Sequence, residues 1–401
     1  MSAAPQTSMP TRALPDRSQR AGSAKTSPVR DLLALTERPE VISFAGGLPA
    51  PELFDLDGIR ASFDAVLSSP AVLQYSTSEG STALREEVAR RYTEDGLETA
   101  ASDLIVTTGS QQGLGLLATS LIDPGDTILV EEPCYLAALQ TFALAGARVV
   151  GVPYAGDRLD LDALERLAAD TAPKFFYTVP TFQNPTGRTH DREARVRIAE
   201  IAQRHGIRII EDEPYRQLRY SGDALPSLAA FAPDHVLSLG SFSKVIAPGL
   251  RIGWIRTTPD VRPTVTIAKQ AADLHTSTID QAAAAHYLLS GRGEPALDRI
   301  RSAYAERRNA MLDALPDVLP SGSEWNRPDG GMFVWVRLPE GMDAAASLGA
   351  ALAQDVAYVP GASFFSGTPD VRTLRLSFTT YPPASIREGL SRLGTAWAAG
   401  G

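Results

Sequence analysis

The chain carries one cysteine, Cys134, in 401 residues, so no intrachain disulfide can form and a fold held by oxidative cross-links is excluded. Cys134 reads as a small space-filling side chain rather than a reactive thiol. No run approaches the ~20 apolar residues needed to span a bilayer, and the first residues, "MSAAPQTSMPTRALPDRSQRAGSAKTS", lack the apolar core of a secretion signal. A cytoplasmic location is expected. Positive charge is also short: 38 Lys and Arg against 47 Asp and Glu leave a formal net charge of -9, without the basic stripe of a general nucleic-acid surface. The five histidines, His190, His205, His235, His275 and His286, are scattered, and no HExxH or Cys/His cluster suggests a metal. Internal repeats and long like-charge blocks are missing too.

What remains is an ordinary globular composition, 44% hydrophobic and 21% charged. At 401 residues the chain exceeds the size at which a single core keeps growing, so one large and one smaller domain are expected. Residues 1–26 are rich in Pro, Ser, Ala, Thr and Arg without periodicity and read as a flexible tail. Next, "SPVRDLLALT" reads as a helix capped by Ser27 with Pro28 in its first turn, and "VISFA" at 41–45 as a short strand. We assign 27–65 to an N-terminal arm and part of the small domain, 66–290 to the large domain, and 291–401 to the small C-terminal domain.

Within the large domain, the apolar runs "LIVTT", "TILVE", "RVVGV", "KFFYTV", "IRIIED", "HVLSLG" and "LRIGWI" alternate with amphipathic stretches such as "REARVRIAEIAQRHG". That alternation predicts an α/β fold with a mainly parallel sheet covered by helices on both faces. After a helical stretch around 264–315, "MFVWVR", "VAYVP" and "TLRLSF" predict a smaller α+β domain.

Ligands bind such sheets beyond the C-terminal ends of the strands. There the sequence places Gly109-Ser110-Gln111 after "LIVTT", Asn184 in "TFQNPTG", Asp212 after "IRIIE", and Ser241 to Lys244 after "VLSLG". Arg251 follows Lys244 by seven residues. One acid, one lysine, an amide, hydroxyls and a helix start able to meet an anion gather at one edge. Taken singly, each has a plainer reading: a solvated lysine, a capping aspartate, a turn at "QNPTG".

Together with "SFAGGLPAPELF", "LQYSTSEGSTALREEVARR", "TTGSQQ", "EDEPY", "GSFSKVIAPGLRIGW", "QAADLHT", "RPDGGMFVWVRLP", "VPGASF" and "LRLSF", these residues closely resemble the fold-type I pyridoxal-phosphate enzymes. The resemblance runs from about Ser27 to Leu393 and is nearest to class I/II aminotransferases of the 2-aminoadipate and kynurenine group. It implies an aspartate aminotransferase-like fold with a seven-stranded sheet, and pyridoxal 5'-phosphate as cofactor.

By the same resemblance, Lys244 would hold the cofactor aldehyde as an imine and move the substrate α-proton. Asp212 would keep the pyridine nitrogen protonated, so that the ring can accept electrons. Asn184 and Tyr215 match contacts to the ring hydroxyl. Ser110, Gln111, Ser241, Ser243 and Arg251 match the phosphate cradle, and Tyr135 the ring that stacks on the pyridine. Tyr75 matches a contact to the phosphate of a neighbouring subunit, which implies a homodimer with shared sites. Arg375 and Gly47 match the grip on the substrate α-carboxylate, with Asn184 beside it, and Ser27 and Arg30 a helix that reads the substrate side chain. Two departures stand out: Glu213, where relatives often carry another residue, and Pro28, which alters the start of that helix.

The expected reaction is transamination between an α-amino acid (2-aminoadipate-like, aromatic or branched-chain) and a 2-oxo acid, 2-oxoglutarate being the expected acceptor. The alternatives are decarboxylation, oxidation or elimination on the same scaffold. An amino-acid-sensing regulator that binds DNA is the remaining rival.

Overall fold

The computed structural model describes Ser18 and residues 38–399. The expected helix at 27–36 and the flexible tail lie outside the described residues.

In chain order the strands are β1 (Ile42–Ser43), β2 (Leu104–Thr107), β3 (Thr127–Glu132), β4 (Arg148–Ala155), β5 (Arg158–Leu159), β6 (Phe175–Thr178), β7 (Arg208–Asp212), β8 (Val236–Ser241), β9 (Gly253–Arg256), β10 (Glu324–Trp325), β11 (Phe333–Arg337), β12 (Val356–Ala357), β13 (Val359–Pro360) and β14 (Thr373–Ser377). The helices are α1 (Leu56–Leu67), α2 (Thr82–Glu94), α3 (Ser110–Leu121), α4 (Leu136–Ala145), α5 (Leu161–Thr171), α6 (Arg192–His205), α7 (Arg262–Ala272), α8 (Thr278–Leu289), α9 (Gly293–Val318), α10 (Ala344–Ala353) and α11 (Pro383–Ala399).

Strands β2 to β9 form one sheet in the order β2-β9-β8-β7-β6-β3-β4-β5. Pairings β8/β7, β7/β6, β6/β3 and β3/β4 are parallel, whereas β9 runs against both of its neighbours and β5 against β4. The sheet therefore has eight strands where seven are expected. The addition, β5, is a two-residue hairpin return on β4, too short to leave an apolar run in the sequence.

Alternation along the strands explains the two covered faces. Leu129, Phe176, Ile209 and Val236 pack with Leu164, Ile198 and Ile201 of α5 and α6. Their neighbours Ile128, Val130, Phe175, Tyr177, Ile210 and Leu237 turn to the other side, against Leu114 and Leu117 of α3 and Phe142 of α4. A strand buried on both faces reads as a continuous apolar run, and so these segments do. Helices end where local chemistry stops them: Asp160 and Asp191 cap α5 and α6 through the N–H groups of Ala163 and Ala194, and α6 stops at Gly206, φ 63°.

The expected helical stretch at 264–315 is broken into α7, α8 and α9. Beyond it, β10, β11, β14 and β13 form an antiparallel sheet, and β1 pairs with β12 near α10 and α11. Residues 42–43 are thus attached to the C-terminal part of the chain. No helix among the described residues is long and apolar enough to cross a membrane.

Candidate active site

Because β2, β3, β6, β7 and β8 all run the same way, the residues after each lie on one edge of the sheet. The antiparallel β9 begins where β8 ends, with Gly253 opposite Ser241, so Arg251 arrives at that same edge from the other direction. A cavity of about 580 Å³ opens there, a size suited to a small ligand. Gly47, Ser110, Gln111, Tyr135, Asn184, Asp212, Tyr215, Ser241, Ser243, Lys244, Arg251 and Arg375 all line it. Tyr75 does not: it is 79% exposed and lies edge-on to the ring of His275, 5.7 Å between centroids. Ser27 and Arg30 lie outside the described residues.

At one end of the cavity, α3 begins at Ser110, directly after Gly109 (φ 79°, ψ 163°). Glycine is required there twice over, for the positive φ and because a Cβ would stand 2.6 Å from Nη2 of Arg251. Arg251 donates from Nη2 to the Thr108 carbonyl at 3.2 Å. Across the same corner, a Cβ on Gly253 would meet the Ser110 nitrogen at 2.6 Å, so β9 and the first turn of α3 touch backbone to backbone. Ser243 donates its N–H to Ser241 Oγ at 3.1 Å, and the two hydroxyls are 2.9 Å apart. A helix N-terminus, two hydroxyls and a guanidinium make a cradle that fits a phosphate. The Gln111 amide points to Thr141 Oγ1, 2.9 Å, which leaves its backbone N–H as the group available to that cradle.

In the middle of the cavity, Asp212 is buried. Its Oδ2 accepts from the Tyr177 hydroxyl at 2.8 Å, while Oδ1 has no partner. Burial, reinforced by the charge of Glu213 and opposed by the Tyr177 hydrogen bond, pushes the carboxyl up to about 7. Lys244 donates from Nζ to the Gly47 carbonyl at 2.9 Å. Burial, with Arg375 and Arg251 adding repulsion, pulls its amine down to about 8. An amine in that range has a substantial neutral fraction near neutral pH and can act as nucleophile and base. Tyr135 is pushed up to about 12, first by burial and then by the charge of Asp212, so its phenol stays neutral.

At the far side stands Arg375, brought in by β14. Its Nη1 donates to Asn184 Oδ1 at 2.7 Å and its Nη2 to the Ala45 carbonyl at 2.6 Å, while Nε is buried and unpartnered. The guanidinium lies over the rings of Phe333 (4.3 Å) and Phe364 (5.2 Å). Burial pulls even this group down to about 10. No carboxylate among the described residues balances it, which is the condition of a group able to receive an anion.

A pyridoxal phosphate fits these donors: an unpartnered carboxylate oxygen for a protonated ring nitrogen, Asn184 and Tyr215 for a ring oxygen, Tyr135 for the ring face, a lysine for the aldehyde. Tyr177, Phe333 and Phe364 belong to the site and are missed by sequence reasoning. Aromatic residues inside apolar strands read as core, and no spacing marks them otherwise. Among the described residues no group of three or more His, Cys, Asp and Glu is placed to hold a metal ion.

Known proteins similar to this chain include enzymes of one class. The family model for aminotransferase class I and II matches residues 51–393. The chain is 42% identical to an aromatic-amino-acid aminotransferase of Thermococcus litoralis over 388 residues, covering 94% of this chain and 92% of that protein. It is 41% identical to a 2-aminoadipate transaminase of Thermus thermophilus over 382 residues, 94% of this chain and 95% of that protein. Among solved structures it superposes with a TM-score of 0.88 on the α-aminoadipate aminotransferase LysN of Thermus thermophilus, 39% identical, complexed with N-(5'-phosphopyridoxyl)-L-leucine, covering 96% of this chain and 97% of that one. The chain belongs to the class I and II aminotransferases, and it is a pyridoxal-phosphate-dependent transaminase.

The raised Asp212 carboxyl gives a stability test on the protein without cofactor. Between the ordinary value of 3.8 and about 7, the folded protein holds a proton that the unfolded chain has released, so Asp212 makes stability fall as pH rises through that window. Asp212→Asn removes this fall. The variant's thermal midpoint should therefore gain on the native protein between pH 5 and 7, by the equivalent of roughly 2–4 kcal/mol. Parallel midpoint curves would show that Asp212 is not strained in this way.

Proposed function

We propose that this transaminase takes α-amino acids with an acidic, aromatic or branched-chain side chain as donors and 2-oxoglutarate as acceptor. The donor classes follow the names of its relatives, a 2-aminoadipate transaminase and an aromatic-amino-acid aminotransferase, and the phosphopyridoxyl-leucine bound by LysN. The observation that carries the reading is that Lys244, Asp212 and Arg375 face one cavity, with no ion pair to any of them among the described residues.

The roles divide by position. Arg375, through its unpartnered Nε, and Asn184 hold the substrate α-carboxylate, with the Gly47 backbone beside it. Ser110, Gln111, Ser241, Ser243 and Arg251 hold the phosphate, and Tyr135 keeps the ring from tilting. Asp212 Oδ1 would accept a hydrogen bond from the protonated ring nitrogen, and the Tyr177 hydroxyl on Oδ2 would keep that carboxylate oriented. The bound cofactor supplies the electron sink for the leaving α-proton. Lys244, released from the Gly47 carbonyl, would take the proton from the substrate α-carbon on its neutral amine and give it up again from the same nitrogen.

A homodimer belongs to the same proposal: Tyr75 is exposed in the single chain, and by the family resemblance it would reach the phosphate of a second subunit. A sedimentation mass of a single chain for the loaded protein would contradict it. A cytoplasmic location goes with the acidic composition and the single cysteine.

Donor choice is tested by adding amino acids singly to the loaded enzyme, without oxo acid, and following conversion to pyridoxamine phosphate. Aminoadipate, glutamate, leucine, phenylalanine and kynurenine form the panel. Aminated cofactor and the matching 2-oxo acid are expected. Release of carbon dioxide or peroxide, with no aminated cofactor, would contradict transamination of that donor. Arg30, the proposed distal-carboxylate contact, enters through Arg30→Ala, which should weaken the acidic donors by ~10- to 100-fold and leave leucine nearly unchanged. Uniform loss would reject that role, and Lys244→Ala should lose ~10³-fold or more on every donor.

A further inference from the structure

The side chain of Lys269, at the end of α7, is fully buried, and nothing in the roles above employs it. A buried ammonium is costly unless its protons find acceptors. Here they do: Nζ donates to Asp273 Oδ1 (2.9 Å), Thr276 Oγ1 (3.0 Å) and Gln112 Oε1 (3.2 Å). Gln112 and Asp273 are tied in turn to Thr108, in the turn between β2 and α3, and Thr276 is tied to β2 itself. Gln112 Oε1 accepts the Thr108 N–H at 2.7 Å, and its Nε2 donates to Asp273 Oδ2 at 2.6 Å. The Thr108 hydroxyl donates to the same Oδ2 at 3.3 Å, and the Thr276 hydroxyl to the Val106 carbonyl at 3.3 Å. Burial pushes the Asp273 carboxyl up, yet the hydrogen bonds from Gln112 and Lys269 outweigh it and hold the group below the ordinary aspartate value, as an ion.

Thr108 is where this hub meets the cradle. Its N–H is fixed by Gln112 and its carbonyl receives Arg251 Nη2, while the next residue, Gly109, opens α3 and its free N–H groups. The same residue, through the peptide groups on either side of it, therefore sets both the direction of the helix start and the position of the guanidinium.

We propose that Lys269 is a positioning residue for the cofactor phosphate, acting through Gln112, Asp273 and Thr108 to preset the β2–α3 turn and Arg251 before the phosphate arrives. The proposal rests on the reading that this turn and Arg251 take the phosphate. A preset cradle spends no binding energy on ordering its donors, so loosening it weakens the phosphate contact while the contacts to the ring persist.

The test compares two ligands on the full-length protein freed of cofactor: pyridoxal phosphate, and pyridoxal, the same ring without phosphate, each followed by ring absorbance. In Lys269→Met the dissociation constant for pyridoxal phosphate should rise ~10- to 100-fold, a usual cost of losing an outer contact to a ligand-holding group, while that for pyridoxal stays within a few-fold. Gln112→Leu leaves the Lys269–Asp273 pair intact, frees the Thr108 N–H, and should show the same selectivity; it carries the test if Lys269→Met does not fold. A lysine that merely stabilises the fold would weaken both ligands alike or neither, and either result overturns the proposal. Arg251→Gln, measured in parallel, separates two failures. Selective loss in Arg251→Gln alone rejects the Lys269 role, and selective loss in none of the variants rejects the phosphate assignment with it.

Discussion

Three charged side chains, Asp212 and Arg375 buried and Lys244 half-buried, meet no balancing charge among the described residues, and they govern this structure. Lys244 meets a backbone carbonyl, Arg375 a carbonyl, an amide and two aromatic rings, and Asp212 a single tyrosine hydroxyl. An isolated ion in the interior costs several kcal/mol even after relaxation, and each group's shift toward its neutral form records that cost. Nearby ionic groups are treated differently. Arg195, fully buried, donates to three carbonyls and the Thr181 hydroxyl and stands 3.5 Å from Glu213. Glu211 accepts from Ser227, the Leu228 N–H and Ser238. The fold satisfies the charges behind the cavity and leaves those facing it open, and a ligand with an anionic phosphate, a protonated ring nitrogen and a carboxylated substrate would complete them.

Such a site requires rigid support from distant parts of the chain. Segment 44–48 reaches it because the Phe44 carbonyl accepts from Ser377 N–H at 2.8 Å and Leu48 from Thr379 Oγ1 at 2.8 Å, which lays Gly47 across Lys244. The Arg375 to Asn184 bond then joins the small antiparallel sheet to the large one. The cavity is consequently a property of both sheets docked together, and loosening either would displace Arg375, the proposed substrate contact, from the lysine.

Much of this was legible in the sequence for a specific physical reason. Doubly covered strands must be apolar runs, so their ends, and the polar residues beyond them, are visible; Asp212, Lys244 and the Ser110 turn were found that way. The β5 hairpin left no signal because two residues carry no period. Tyr177 hid because a buried phenol and a buried phenylalanine look alike until the partner is seen. Lys269 hid for the opposite reason: a lysine in an amphipathic helix ordinarily reads as solvated, and only the approach of Gln112 from α3 reveals its burial. Tyr75, legible by resemblance, takes no part in the cavity of a single chain, and the residues expected to read the substrate side chain, Ser27 and Arg30, lie beyond those described.

The central claim is that Lys244, the one amine lining the cavity among the described residues, is the amine that takes the cofactor. The chain has only four lysines, Lys25, Lys174, Lys244 and Lys269, so the claim can be put to a direct count. Borohydride reduction of the loaded enzyme, followed by peptide mass mapping, should place a single pyridoxyl group on Lys244 and abolish the visible absorbance in proportion. Label on any of the other three lysines, or on none, would contradict the account.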